Sequence, residues 1–226
     1  MTPRFAVAIP AYEAATTVAG VVRRVLAMGV EVVVVDDGSR DGTGDAARAC
    51  GVSVLVNEIN LGKGRALKSA FDHLFAAGWD AVVTIDADGQ HPPEELPKLL
   101  APWREGADLV LGTRDHLYAA MGYVRAASNG TSSWLISHVA GAELPDCQTG
   151  YRLYTRRLID AVGFPEPRFE AESAVLVRAV RTGFRVVGVP VRLDKADGRA
   201  TSHYRPIVDS LRIAGAVARA RFEQAS

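Results

Sequence analysis

Ala81-Val82-Val83-Thr84-Ile85-Asp86-Ala87-Asp88-Gly89-Gln90-His91 is an apolar run that stops at two carboxylates one residue apart. The run is short, rich in β-branched residues and entered from Gly78-Trp79-Asp80, the pattern of a strand buried on both faces. The acids therefore sit at its C-terminal end, where the loops of an open parallel sheet diverge and leave a crevice for ligands. Two carboxylates at i and i+2 can converge on one hard divalent cation when the residue between them lies in a turn. Mg²⁺ and Mn²⁺ take such oxygen ligands alongside substrate phosphates. A solvated strand-to-helix turn is the plain alternative for so short a motif, so the rest of the chain has to decide.

Around this run, strand-like segments at Phe5 to Ile9, Glu31 to Val35, Ser53 to Val56 and Asp108 to Leu111 alternate with segments of helical period. Val18, Val21, Val22 and Val25 share one helix face behind Thr16-Thr17 as caps. Ala66, Leu67, Ala70, Phe71 and Leu74 repeat the pattern, as do Leu96, Leu99, Leu100 and Trp103 behind Pro92-Pro93-Glu94-Glu95, a good helix entry. Such alternation over half the chain predicts an α/β fold: one Rossmann-like, mostly parallel sheet flanked by helices. Beyond Gly112 the regularity fades through Thr113 to Gly150, then returns as a helix-like Glu170 to Arg181 and a strand-like Phe184 to Leu193. With no linker, repeat or low-complexity tract, residues 1–226 read as a single domain.

The 226 residues are 48% hydrophobic, ample for a sizeable core. Lys+Arg and Asp+Glu both number 26, so no net basicity points to nucleic acid or an anionic membrane, and any phosphate-binding charge is local. Cys50 and Cys147 lack both the close pairing of a metal knuckle and the density of a secreted disulfide scaffold. The expectation is a cytoplasmic protein, with no leader before Phe5 and no run of about 18 apolar residues to span a bilayer.

The strand ends can now be compared. The first ends at Pro10-Ala11-Tyr12-Glu13, the second at Asp36-Asp37-Gly38-Ser39, the third leads to Asn60-Leu61-Gly62-Lys63-Gly64, and the fourth ends at Asp86 and Asp88. Polar or glycine-bearing turns at four successive strand ends describe one crevice. A carboxylate of Asp36-Asp37 can accept a hydrogen bond from a base N–H or a ribose hydroxyl, or simply close an Asx turn. Gly62 and Gly64 let the backbone approach a ligand, and Lys63 can offset phosphate charge. The segment is neither a P-loop nor the longer dinucleotide fingerprint.

Taken together, Ile9-Pro10-Ala11-Tyr12-Glu13, Val35-Asp36-Asp37-Gly38-Ser39-x-Asp41-Gly42-Thr43, Asn60-Leu61-Gly62-Lys63-Gly64 and Asp86-Ala87-Asp88-Gly89-Gln90-His91-Pro92-Pro93 resemble the family 2 glycosyltransferases. Within them the resemblance is strongest to the dolichol- or polyprenyl-phosphate mannosyl- and glucosyltransferase branch. Asp146-Cys147-Gln148-Thr149-Gly150-Tyr151-Arg152-Leu153-Tyr154 and Phe169-Glu170-Ala171-Glu172 extend it over nearly the whole chain. The resemblance implies a GT-A fold, a UDP- or GDP-sugar donor, Mg²⁺ or Mn²⁺, and inversion at the anomeric carbon. It divides the domain into a nucleotide-sugar half, 1–113, and an acceptor half, 114–226, that ends in a helix. It places Pro10, Ala11, Tyr12, Glu13, Asp37 and Gly38 around the base and ribose with Lys63 nearby. Asp86, Ala87, Asp88 and Gln90 then face the diphosphate, and Asp86, Asp88 and Gln90 are the metal candidates. Tyr12 stands where an Asn is frequent. Asp197-Gly198-Arg199-Ala200-Thr201-Ser202-His203-Tyr204 approximates a basic segment that holds donor phosphate in relatives, which assigns Arg199 and His203 to that role.

Breaking a sugar–diphosphate bond builds negative charge on the leaving oxygen, and a cation at Asp86 and Asp88, with Arg199 and His203, would stabilise it. Were the acceptor a hydroxyl of a cell-envelope or secondary-metabolite glycan, a carboxylate should take its proton: Asp146 first, with Glu170 and Glu172 behind it. Were it polyprenyl phosphate, already anionic, no base is needed, and Arg114, Arg125 and Arg152 are the residues to hold it. Asp88, Asp146 and Glu172 are thus the catalytic candidates. Ile207 to Phe222 carries Leu211, Ala214, Ala218 and Phe222 on one side, a thin face expected to pack on the domain or on a second subunit in a homodimer, with peripheral contact at the inner membrane face as the other expectation. Two other readings compete. A sugar nucleotidyltransferase would carry a glycine-rich Arg/Lys loop near the first strand, where this chain has Pro10-Ala11-Tyr12-Glu13; a non-catalytic nucleotide-sugar-binding protein has no need of Asp86 and Asp88.

Overall fold

β1 (Phe5–Ala11), β2 (Val32–Asp36), β3 (Ser53–Val56) and β4 (Ala81–Thr84) form the parallel half of a seven-stranded sheet. The structure is a computed structural model that describes residues 3–114, 133, 136–144, 146–194 and 206–222. β1 lies between β2 and β4, with Val7 opposite Val32 on one side and Val83 on the other. β5 (Leu109–Thr113), β6 (Arg152–Thr155) and β7 (Val186–Pro190) complete the order β3-β2-β1-β4-β6-β5-β7. The mostly parallel sheet expected from the sequence is thus present, with one strand that the periodicity did not announce. β6 inserts between β4 and β5 and runs antiparallel to both. Four residues carrying a buried arginine give almost no alternation to read.

The valine-rich strands are buried on both faces, and alternate side chains go to opposite layers. Ala6, Ala8, Val33, Val35 and Val82 pack with α3 (Lys63–Ala76), α6 (Glu170–Arg181) and α7 (Pro206–Phe222). Val7, Ile9, Val32, Val34 and Val83 pack with α1 (Val18–Leu26), α2 (Thr43–Arg48) and α4 (Leu96–Arg104). Phe71 of α3 sits 5.1 Å, centroid to centroid, from both Tyr154 of β6 and Phe164, so aromatic edges pin α3 over the inserted strand. α5 (Arg156–Val162) follows β6 directly, with Thr155 Oγ1 accepting from Leu158 N.

The C-terminal helix packs on the domain, but through a different face from the one expected. Ile213, Ala216, Val217 and Ala220 are buried, whereas Ala218 is exposed and Ala214 half-buried; the side chains of Leu211 and Phe222 lie outside the described residues. The buried set follows the i, i+3, i+4, i+7 rule and puts the branched Ile213 and Val217 into the core. Arg212, Arg219 and Arg221 are exposed. Among the described residues no helix is long and apolar enough to cross a membrane.

The chain leaves β1 through α1 toward β2, while β4 lies on β1's other side. The order therefore reverses between β1 and β4, and their C-terminal ends part around a crevice.

Candidate active site

That crevice is a cleft of about 600 Å³. Pro10, Ala11, Tyr12 and Glu13 line it from the end of β1, Asp37 from β2, Lys63 from α3, and Asp86, Ala87 and Asp88 from the end of β4. Residues up to 78 positions apart in sequence thus meet where four strand ends predicted one site. Arg168, Phe169 and Arg212 line it too. Arg168 and Arg212 carry no signal in the sequence, and Phe169 stands out there only as the start of the block Phe169-Glu170-Ala171-Glu172. They follow no strand, and their position depends on how α6 packs on α3 and α7 on α6.

Two of the strand-end loops are braced against each other. Glu13 adopts φ +51°, its N–H donates to Ser39 Oγ at 3.0 Å, and its Oε1 accepts from Arg40 N at 2.8 Å. Asp37 is buried, and its carboxylate accepts from Asn57 Nδ2 (2.7 Å), Leu61 N (2.9 Å) and Gly62 N (2.7 Å). Those three bonds make it the anchor of the turn that delivers Lys63, and the same residue, the nucleotide acceptor expected from the sequence, also lines the cleft. Gly38, at φ +76°, belongs to the same turn: a Cβ there would come within 2.6 Å of Asn60 N.

Lys63 is the first residue of α3, and its ammonium reaches two carboxylates. Nζ lies 2.7 Å from Asp86 Oδ1 and 3.0 Å from Glu172 Oε2, near the start of α6. Burial opposes the charge on Lys63, but Asp86 and Glu172 outweigh it and hold the ammonium above its usual range. Burial likewise works against ionised Asp86, and the Lys63 ammonium overcomes it, so the Asp86 carboxyl is held low. Gly150 lies directly behind Asp86, where any Cβ would overlap Oδ2, and Thr84 Oγ1 donates to the Gly150 carbonyl at 2.8 Å. Asp88 differs: burial and the neighbouring Asp86 charge push its carboxyl up. Gln90, a metal candidate in sequence, donates from N to Asp88 Oδ1 at 2.9 Å and from Nε2 to Oδ2 at 2.8 Å, which orients Asp88. His91 is buried against Tyr151, ring centroids 5.3 Å apart; burial chiefly drops its pKa to about 4, so it is neutral.

On the acceptor side, Asp146 is buried and clamped by Arg114, whose N, Nε and Nη2 donate at 2.8, 2.7 and 2.9 Å. Arg152, expected at an acceptor phosphate, is fully buried. Its guanidinium donates to the carbonyls of Thr149 (2.7 Å), Glu172 (2.5 Å) and Cys147 (2.8 Å), so it braces the 147–149 turn against α6. Glu172 is tied to Lys63, and Glu170 is buried with Oε2 unpartnered among the described residues. Arg125, Arg199 and His203 lie outside the described residues.

Among the described residues no three His, Cys, Asp or Glu side chains are grouped to hold a metal ion by themselves. Mg²⁺ and Mn²⁺ do not require that, because one or two carboxylates plus substrate phosphates suffice. The residues present fit such an ion: Asp88 offers hard oxygen donors, is oriented by Gln90, and carries an unfavourable charge beside Asp86 that a cation would relieve.

Comparison with known proteins places this geometry. Residues 6–163 match Glycosyl transferase family 2. The polyprenol monophosphomannose synthase of Mycolicibacterium smegmatis is 33% identical over 207 residues, 84% of this chain and 77% of that protein. The undecaprenyl-phosphate mannosyltransferase of Micrococcus luteus is 37% identical over 173 residues, 71% of this chain and 70% of that one. Glucosyl-3-phosphoglycerate synthase from Mycobacterium tuberculosis, crystallised with Mn²⁺, UDP and glucosyl-3-phosphoglycerate, has a TM-score of 0.73 at 22% identity, covering 100% of this chain and 82% of that one. At that identity the likeness is one of fold, and the fold is GT-A. The chain belongs to glycosyl transferase family 2, in its polyprenyl-phosphate branch.

Proposed function

We propose that this enzyme moves a sugar from a UDP- or GDP-sugar to polyprenyl phosphate, with inversion at the anomeric carbon and with Mg²⁺ or Mn²⁺ held at Asp88. The observation that carries the reading is the meeting of Lys63, Asp86 and Asp88 in one cleft at the switch point of the sheet. The relatives that act on polyprenol and undecaprenyl phosphate support the acceptor, and a structural neighbour with UDP and Mn²⁺ supports the donor class.

Residues 1–113 supply the donor side and 114–226 the acceptor side. An acceptor phosphate oxygen attacks the anomeric carbon, the sugar–diphosphate bond breaks, and charge collects on the leaving oxygen. The cation, when bound, acts there as a Lewis acid. Arg114, oriented by Asp146, brings a guanidinium to the acceptor phosphate. Two candidate bases are engaged: Asp146 by Arg114 and Glu172 by Lys63. That suits an acceptor already anionic, and it leaves neither carboxylate free to form the covalent intermediate that retention would need. Contact with the inner membrane face, where such a lipid resides, is supported by the exposed Arg212, Arg219 and Arg221 of α7.

The test is transfer of radiolabel from UDP-glucose or GDP-mannose to undecaprenyl phosphate with MnCl₂. One donor should give organic-soluble label that EDTA abolishes, and Asp88→Asn should lower the rate by about 10² or more. Label confined to water-soluble glycans would shift the acceptor to a hydroxyl. Pyrophosphate release from a nucleoside triphosphate and a sugar 1-phosphate, with no transfer, would make the protein a nucleotidyltransferase.

A further inference from the structure

Lys63 stands against the carboxylate that a metal site of this kind would be expected to share. Its side chain is only 14% exposed, and its Nζ is in contact with both Asp86 and Glu172. The lysine has little room to withdraw. The preceding turn is bolted down by Asp37, and Gly62 lies so close to the next layer that a Cβ would sit 2.6 Å from the Pro167 carbonyl. Asp86 opens to the cleft but is backed by Gly150, so it cannot retreat from the ammonium on that side. Asp88, in contrast, takes one hydrogen bond from Gln90 on each oxygen and keeps further lone pairs for a cation.

A divalent ion arriving alone therefore meets one available carboxylate and, beside it, an ammonium that repels it at short range. An ion arriving with a nucleoside diphosphate brings its own oxygen ligands and enough negative charge to face both Asp88 and Lys63. Building on the metal-and-donor reading above, we infer that Lys63 makes metal uptake conditional on the donor diphosphate, by holding Asp86 in an ion pair that excludes the free cation. Lys63 is a positioning residue for the metal: it fixes which carboxylate is available and when.

The test is binding of Mn²⁺, read by loss of the free-ion EPR signal, to the full chain alone and with saturating UDP or GDP, each against a nucleotide-only blank. The wild-type protein should bind Mn²⁺ about tenfold or more tightly with the accepted nucleotide than without it. Lys63→Met should bind Mn²⁺ alone about tenfold more tightly than wild type, which shrinks the nucleotide dependence; Lys63→Arg should keep it. Wild-type protein that binds Mn²⁺ equally well with and without nucleotide overturns the inference, and that comparison needs no variant to fold. So does a folded Lys63→Met that gains nothing, while the metal reading itself stands. Absence of Mn²⁺ binding in every combination overturns both.

Discussion

Asp86 has its counter-charge built in, and Cys147 shows the opposite treatment of an ionisable group. The Cys147 side chain is fully buried, close to the Leu144 carbonyl, and burial pushes its thiol from 9.0 up to about 11. The fold therefore favours the protonated form. That contribution is complete below pH 9 and is lost as pH rises toward 11, because the unfolded chain releases the proton first. Replacing Cys147 by Ala should flatten the alkaline limb of stability against pH, by about 2–3 kcal/mol over that interval, in urea unfolding at matched pH. Parallel limbs in both proteins would show that the thiol is not held protonated. At this scale the sequence told which residue types gather, since Pro10 to Glu13, Lys63, Asp86 and Asp88 do line one cleft. It could not tell what each polar atom would bind. Asp37 spends its carboxylate on the 57–62 turn and Arg152 spends its guanidinium on three carbonyls, partners set only by the folded path of the chain.

Among elements, the start of α3 matters most, because it delivers Lys63 and packs directly under the segment that leads into α6. Arg65 N donates to the Pro167 carbonyl at 3.0 Å, and a Cβ on Gly64 would overlap the Glu166 carbonyl oxygen and come within 2.9 Å of Ala171 Cβ. Helix propensity alone would favour Gly64→Ala by about 1 kcal/mol. Overpacking against backbone costs about 1–3 kcal/mol and should win, so the variant is expected to melt several degrees lower and to bind donor more weakly. A melting temperature equal to or above wild type would mean that the two segments are not in close contact. Strands β1 to β4 and helices α1, α3 and α4 were legible because their apolar periods are long and clean. β6 was not, being four residues with a buried arginine, and in α7 Ala218, expected inward, is exposed while Ala216 and Ala220 are buried, because small alanines line two of its sides.

For the molecule as a whole, one sheet carries all seven strands, with antiparallel β6 between β4 and β5. β6 and the turn before it set Gly150 against Asp86 and let Arg152 donate to the Glu172 carbonyl, so the cleft acids rest on residues far along the chain from β4. Net charge is zero, and the charge that matters is local, as the composition required. The central claim is that the cleft between β1 and β4 is a metal-dependent nucleoside-diphosphate site. Its most direct test is thermal unfolding of wild type and Asp88→Asn with UDP, GDP and their sugars, in Mn²⁺, in Mg²⁺ and in chelator. A ligand at a hundredfold excess over its Kd adds about 3 kcal/mol, a rise of several degrees for a chain of this size. The account predicts such a rise with one of the two nucleotides, only when metal is present, and its loss in Asp88→Asn. A rise that survives both chelation and the substitution, or no rise with any diphosphate in a protein that melts cooperatively, would contradict it.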